Sequence, residues 1–280
     1  MVAKPAGPTS HDVVDVVRRV LGLQRVGHLG TLDPFAEGLL VVVVGRATRL
    51  AAFAAGWTKA YEGVIRLGVT TDTDDVTGAV LQTAAAEVTA AQVAAALAGF
   101  RGGYLQRPPA YSAVKIAGER AYRRARRGEV VEPVARRVDI EELELVEYTA
   151  PPPDVRFRAT VGGGTYLRSL ARDVGAALGC GGHLVMLRRT AVGPLRLADA
   201  VAPEAVTAAV VRDPNVLVAH LLRRDVDATE RQAVVHGRPI ARDPVPDTRD
   251  PVALFAGPDL VAVAEVEGNL LKPRVVVTDA

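Results

Sequence analysis

The residues best placed to do chemistry lie within 25–40, RVGHLGTLDPFAEGLL, where Asp33 sits between Leu32 and Pro34. Pro34 removes a backbone donor and drives the preceding residue out of the helical region, so Asp33 is held on extended or turning backbone. Gly27 and Gly30, just upstream, permit positive φ or the close approach of a bulky partner. The apolar residues 39–44 follow as a strand. A carboxylate presented in this way can serve as nucleophile, base or electrostatic anchor. An ordinary Asp-Pro turn has the same local sequence, so the chemical reading depends on what the rest of the chain supplies.

Three other features bear on it. Gly162-Gly163-Gly164 is followed by Thr165-Tyr166-Leu167-Arg168, which opens a helix running to about Leu178. An arginine in a first helical turn opposes the helix dipole, which suits one that holds a carboxylate from elsewhere in the chain; a solvent-facing arginine is the alternative. Residues 59–67, KAYEGVIRL, alternate as a half-buried strand with Tyr61 on its inner face. The segment 107–137 is the densest basic stretch. Its residues 111–137 hold eight Lys and Arg against three Glu, with Tyr111 and Tyr122 interleaved. Such a patch is a footprint for nucleic acid, and a solvated helix is its bland counterpart.

Other stretches position these residues. Thr9 or Ser10 can cap a helix with Asp12 in its first turn. Gly45-Arg46-Ala47-Thr48-Arg49 opens a second helix, and Thr89 caps an alanine-rich one reaching Phe100. Residues 154–161, DVRFRATV, and 181–189 read as strands, and 203–222 as largely helical. Residues 70–78, TTDTDDVTG, read as a solvated acidic turn, because calcium would require a ligand-rich loop that this spacing does not supply. The five histidines show no metal-ligand spacing.

Bulk properties narrow the class. The chain has 280 residues, 49% hydrophobic and 24% charged, which fits an ordinary globular protein of one large domain, or a medium one plus a small one. A single cysteine, Cys180, excludes a disulfide framework and a cysteine-rich zinc site. No apolar signal core opens the chain and no stretch reaches membrane-spanning length, so a cytoplasmic location is expected. The net charge is only +2. Residues 1–224 nevertheless carry 28 basic against 22 acidic side chains, whereas 225–280 carry 6 against 10, in short strands separated by Gly, Pro and Asp. The two parts read as an α/β body and a small β unit.

Six motifs then occur in one order: Lys4-Pro5-x-Gly7-x-Thr-Ser10, Gly27-His28-x-Gly30-Thr-Leu-Asp33-Pro34, Lys59-x-Tyr61, Pro109-x-Tyr111-Ser-Ala-x-Lys115, Gly164-Thr-Tyr-Leu-Arg168 and His183-Leu-x-x-Leu187-Arg-Arg189. Together they resemble the TruB family of tRNA pseudouridine synthases, over roughly residues 1–200. The tail, 225–280, is more loosely similar to that family's small PUA-like RNA-binding domain.

The resemblance implies a mixed, largely antiparallel sheet flanked by helices (an α/β, or α+β, fold), with a catalytic domain at 1–222 and a PUA-like domain at 223–280. It implies isomerisation of uridine 55 in the TΨC loop. Asp33 would be the nucleophile, Tyr61 the aromatic residue stacking on the base and placed for a proton transfer, and Arg168 the partner of the aspartate. Leu187 would be an apolar contact beside the base and His28 a contact to the opened loop. Lys4 and Pro5 would support the site from beneath, and Lys4 is grouped with the substrate-binding set. That set also takes in Tyr111, Lys115, Arg123, Arg124, Arg126 and Arg127. The expected partner is the TΨC stem-loop of tRNA, bound by a monomer without an obligate protein partner. The isomerisation is redox-neutral and consumes no second substrate, so no cofactor or metal is expected.

The chemistry agrees with these roles. A base must leave its stack to be modified and then needs an aromatic surface and a closed pocket; structured RNA is gripped through backbone and splayed bases; a neighbouring arginine favours the ionised form of a carboxylate. Ala3, where the family usually has an acidic residue, and Phe35-Ala36-Glu37 after Asp-Pro depart from the pattern. The acidic tail leaves Arg238, Lys272 and Arg274 as its few candidate RNA contacts. A carboxylate glycosidase would need a second presented acid; Glu37 and Glu62 are nearest, and neither sits in a supporting motif. An RNA-binding or tRNA-folding protein without turnover is the remaining alternative.

Overall fold

The computed structural model describes residues 1–278 apart from 113, 117, 122, 123, 125, 126, 128, 130, 132 and 247, with the side chains of 115, 116 and 120 also outside the description. The chain forms two compact units, one of Met1–Val13, Thr31–Val41 and Gly56–Pro203, the other of Val14–Gly30, Val42–Ala55 and Glu204–Ala280.

The first unit is built on a seven-stranded sheet. Its main strands are β1 (Val2–Lys4), β2 (Glu37–Leu40), β3 (Lys59–Leu67), β4 (Ile140–Thr149), β5 (Asp154–Val161) and β6 (Gly182–Val192), in the spatial order β1-β2-β6-β3-β5-β4. Every neighbouring pair is antiparallel except β2 and β6. The expected mixed, largely antiparallel sheet is therefore present.

β3 and β5 alternate as their sequences predict. Tyr61, Gly63, Ile65 and Leu67 are buried on one face, opposite Ala159, Phe157 and Val155 of β5. A Cβ on Gly63 would lie 2.5 Å from Phe157 Cζ, so only glycine lets that ring cross β3.

Two helices belong to this unit, and a third runs from its Ser10 into the segment Val14–Gly30 of the other. Helix α1 (Ser10–Leu21) starts where Thr9 and Asp12 exchange hydrogen bonds between side chains and backbone, as the capping residues predict. Helix α2 (Ala90–Ala98) begins with a Thr89/Gln92 capping box. Helix α3 (Leu167–Ala177) lies against the start of β6. A Cβ on Gly175 would lie 2.3 Å from the Gly181 carbonyl carbon. Its buried face joins Tyr61, Phe157 and Leu187 in one core with Leu32 and Ala36, the apolar residues on either side of Asp33-Pro34.

Three local expectations are revised. The apolar run 39–44 is two strands, β2 and Val42–Val44, the latter paired with Val26–His28 in the second unit. Residues Gly45–Ala54 form a 3₁₀ helix rather than an α-helix, with no side-chain cap at Val44. Residues 203–222 contain only short 3₁₀ turns, because Pro203 and Pro214 and a run of β-branched residues interrupt an α-helical ladder.

The second unit carries a five-stranded sheet, led by the parallel pair Leu222–Asp225 and Val252–Ala256 and completed by Asp259–Glu267, Leu270–Val276 and Ile240–Ala241. Helix α4 (Ala228–Val235), with an Asp227/Glu230 capping box, adds Val234 to its core.

Candidate active site

Asp33 sits in a turn closed by the Ala36 amide donating to the Asp33 carbonyl at 3.1 Å. Three groups fix this turn. Ser10 exchanges hydrogen bonds with the backbone of Leu32, accepting at 2.8 Å and donating at 3.0 Å. The Gly7 amide donates to the Pro34 carbonyl at 2.8 Å. From beneath, Lys4 Nζ donates to the carbonyls of Ala36, Pro5 and Pro34 at 2.7, 2.9 and 3.3 Å.

Lys4 is 1% exposed, and its burial holds the ammonium below its ordinary pKa. Its donors are spent on loop carbonyls beneath the Asp33 turn.

The Asp33 carboxylate remains accessible, with 34% of its side chain exposed, while Arg168 behind it is 5% exposed. Arg168 holds both oxygens, Nε to Oδ2 at 2.9 Å and Nη2 to Oδ1 at 3.2 Å, the fork geometry that fixes a carboxylate in orientation as well as charge. The arginine that opposes its helix dipole thus holds a carboxylate from 135 residues away. Its other donors reach the carbonyls of Thr73 (2.9 Å) and Tyr111 (3.0 Å).

A second carboxylate lies on the same guanidinium. Asp75 Oδ2 is 3.5 Å from Arg168 Nε, its side chain 5% exposed. Its other oxygen accepts from the hydroxyls of Thr73 and Thr77 and from the Thr77 amide. Asp74 next to it pairs with Arg172 at 2.9 Å, and burial pushes its carboxyl above the ordinary range. The reading of residues 70–78 as a solvated turn is overturned: both aspartates face inward onto α3. The threonines at two residues before and after Asp75 were the available signal, since that spacing lets both hydroxyls close on one carboxylate.

Tyr61 and Leu187 are buried in the core that includes Leu32, with Leu187 opposite Gly63 across the β3–β6 pair. His28 ends the strand Val26–His28 of the second unit. Tyr111 contributes its carbonyl to Arg168. Arg123 and Arg126 lie outside the described residues, as do Tyr122 and the side chain of Lys115. Arg124 pairs with Glu129, and Arg127 with both Glu119 and Glu129, all at or near the surface. In the tail, Lys272 and Arg274 pair with Glu267 and Glu265. Of the expected catalytic set, then, Asp33 and Arg168 are in contact, and Tyr61 lies in the core adjoining their loop. The sequence reading missed Asp75 and Thr73.

Comparison with known proteins bears on what this arrangement does. Residues 18–167 match the model of the TruB family pseudouridylate synthase N-terminal domain, and 168–232 that of the tRNA pseudouridylate synthase B C-terminal domain. The chain is 46% identical to tRNA pseudouridine synthase B of Thermobifida fusca (strain YX), over 99% of this chain and 97% of the relative. It is 39% identical to the Azoarcus sp. (strain BH72) protein of that name, over 98% and 92%.

Two solved structures share the fold. A Cbf5-Nop10-Gar1 complex gives a TM-score of 0.77 at 26% identity, covering 99% of this chain and 84% of the matched one. The archaeal box H/ACA sRNP Nop10-Cbf5 complex gives 0.75 at 25%, covering 99% and 85%. With six ordered motifs, a carboxylate presented on a braced turn and family models spanning most of the sequence, the chain belongs to the TruB family of tRNA pseudouridine synthases.

Proposed function

We propose that this tRNA pseudouridine synthase isomerises uridine 55 of the TΨC loop, with Asp33 as its nucleophile. The observation that carries the reading is the accessible Asp33 carboxylate gripped at both oxygens by buried Arg168. The uridine leaves its stack and enters the space over the Asp33 turn. Asp33 attacks, the C1′–N1 bond breaks, and the freed uracil rotates. A C1′–C5 bond then forms, C5 loses its proton, N1 gains one, and the carboxylate is regenerated. Nothing is consumed or released. Tyr61 stacks on the base and is placed for the C5 proton transfer, with Leu187 as its apolar neighbour.

Arg168 holds the Asp33 carboxylate in a fixed orientation, so its aim does not have to be reorganised as the reaction proceeds. The segment 107–137, through Arg123, Arg124, Arg126, Arg127, Tyr111 and Lys115, holds the RNA, and His28 contacts the opened loop. Residues 1–222 act as the catalytic domain and 223–280 as a PUA-like RNA-binding domain. The enzyme works in the cytoplasm as a monomer, needing no cofactor and no protein partner.

The test is to incubate purified protein and an unmodified tRNA transcript in EDTA, then map pseudouridine by carbodiimide modification and primer extension. A single stop at the TΨC-loop uridine, absent with Asp33→Asn, is the expected result. A stop elsewhere would overturn the position. No stop with tight tRNA binding would leave an RNA-binding protein without turnover.

A further inference from the structure

The basic segment is joined to the first unit by two short strands, Tyr104–Gln106 and Arg136–Val138, paired antiparallel with Gln106 opposite Arg136. Gln106 is fully buried, and both ends of its amide are hydrogen-bonded. Its Oε1 accepts from the Tyr166 amide at 2.9 Å, and its Nε2 donates to the Tyr166 carbonyl at 3.1 Å and to the Tyr104 hydroxyl at 2.7 Å.

Tyr166 is the residue that starts α3, and its side chain supplies no cap. Its carbonyl also accepts the first helical hydrogen bond, from the Leu170 amide at 3.1 Å. Two residues further on is Arg168. The strand partner reinforces the grip: the Arg136 guanidinium lies 5.3 Å over the Tyr166 ring, and its Nη2 donates to the Gly164 carbonyl at 2.7 Å. Tyr104 passes the contact on, donating to Asp173 Oδ2 at 2.9 Å in the second turn of α3.

A buried amide costs free energy unless every valence is met, and an apolar side chain would fill the same space without that cost. Here both donors and the carbonyl oxygen are bonded, and two of these three hydrogen bonds go to the backbone of one residue at a helix start. Packing alone does not need that; fixing where the helix begins does. We propose that Gln106 is a positioning residue for the isomerisation, setting the start of α3 and thereby the aim of Arg168 at Asp33, and that it makes the stalk of the RNA-binding segment and the catalytic pair one mechanical unit. This role rests on the reaction proposed above.

The test compares single-turnover rate at saturating tRNA with tRNA Kd from filter binding, for wild type, Gln106→Leu and Gln106→Met, each checked for a folded melting transition. A sub-ångström to ångström misaim of Arg168 is expected to slow the chemical step about 10- to 100-fold, with Kd within about threefold. In an Arg168→Lys background, where the aimed fork is already gone, Gln106→Leu is expected to cost less than about threefold more, because coupled sites are not additive. Folded variants with unchanged rates, a loss in Kd alone, or a full multiplicative loss in the Arg168→Lys background would each overturn the role.

If neither variant folds, Tyr104→Phe, which takes away one hydroxyl from the Gln106 amide, carries the same test; a wild-type rate there overturns it. An inactive wild-type protein would overturn the reaction itself and this role with it, whereas an active one with rates independent of Gln106 overturns the role alone.

Discussion

Two arginine–carboxylate clusters in this molecule use the same groups to opposite ends. Around Arg168, the participants come from three segments distant in sequence, the guanidinium is 5% exposed, and carbonyls of Thr73 and Tyr111 use the donors that the carboxylates leave. Around Arg127, the partners Glu119 and Glu129 are eight and two residues away, and the guanidinium side chain is 52% exposed. Those glutamates hold the Arg127 guanidinium above its ordinary range, yet water and salt compete for every contact. The first arrangement fixes a direction and cannot exchange partners cheaply. The second keeps charge available, since a phosphate oxygen can replace a carboxylate oxygen on an exposed guanidinium with little desolvation. Burial, not pairing, separates the guanidinium that fixes a direction from the guanidinium whose charge stays accessible.

Breaking the buried cluster should have the largest effect. Asp33→Asn is expected to lower single-turnover rate by roughly 10³-fold or more while tRNA Kd stays within about threefold, because only the nucleophile is lost; rate and filter binding on the same preparation check it.

Arg168→Met is expected to slow turnover about 10²- to 10³-fold and also to destabilise by about 3 kcal/mol, since it strands buried Asp75 without its cation. Adding Asp75→Asn should restore the melting temperature and leave the rate low. Recovery of both would mean that Arg168 acts only in folding.

The exposed cluster should respond differently. Arg124→Glu with Arg127→Glu is expected to weaken tRNA binding and reduce the log–log salt slope by about 1.4, the value for two lost phosphate contacts. Its saturated rate should stay within about twofold. An unchanged slope would make these arginines a solvated face.

Lys4→Met should lower the rate by about tenfold, less than either change in the buried cluster, through a loosened Asp33 turn. It also has a pH signature. The folded state holds Lys4 below its ordinary 10.5, so just under that pH the unfolded chain binds the extra proton and stability rises with pH. Lys4→Met should lack that rise in alkaline melting curves.

Much of the site was legible because its residues sit in short, conformationally constrained motifs. Pro34 forces Asp33 off the helix, and the glycine turn before Arg168 makes its place in a helical first turn readable. Alternation in 59–67 placed Tyr61 correctly. What failed depends on tertiary context. Residues 70–78 look solvated by composition, yet α3 brings Arg168 and Arg172 against them, and no local pattern announces that. The run 39–44 has uniform apolar character, so nothing local marks the break at Val41 where it passes between two sheets. For Lys4, only the resemblance suggested a place beneath the site; nothing local announces the three carbonyls that its ammonium meets.

The contact between α3 and the start of β6 sets limits on how this chain can change in length. Gly175 leaves no room for a side chain against Gly181 and Gly182, and the other end of α3 is tied at Tyr166. One residue gained or lost between 166 and 182 would rotate Arg168 by about 100° around the helix axis, away from Asp33. Beyond Tyr111, whose carbonyl accepts from Arg168, residues 112–135 return to the strand pair they left, so their length can vary without disturbing that rotation. Insertions and deletions among functional descendants of this sequence should therefore gather in residues 112–135 and be absent from α3.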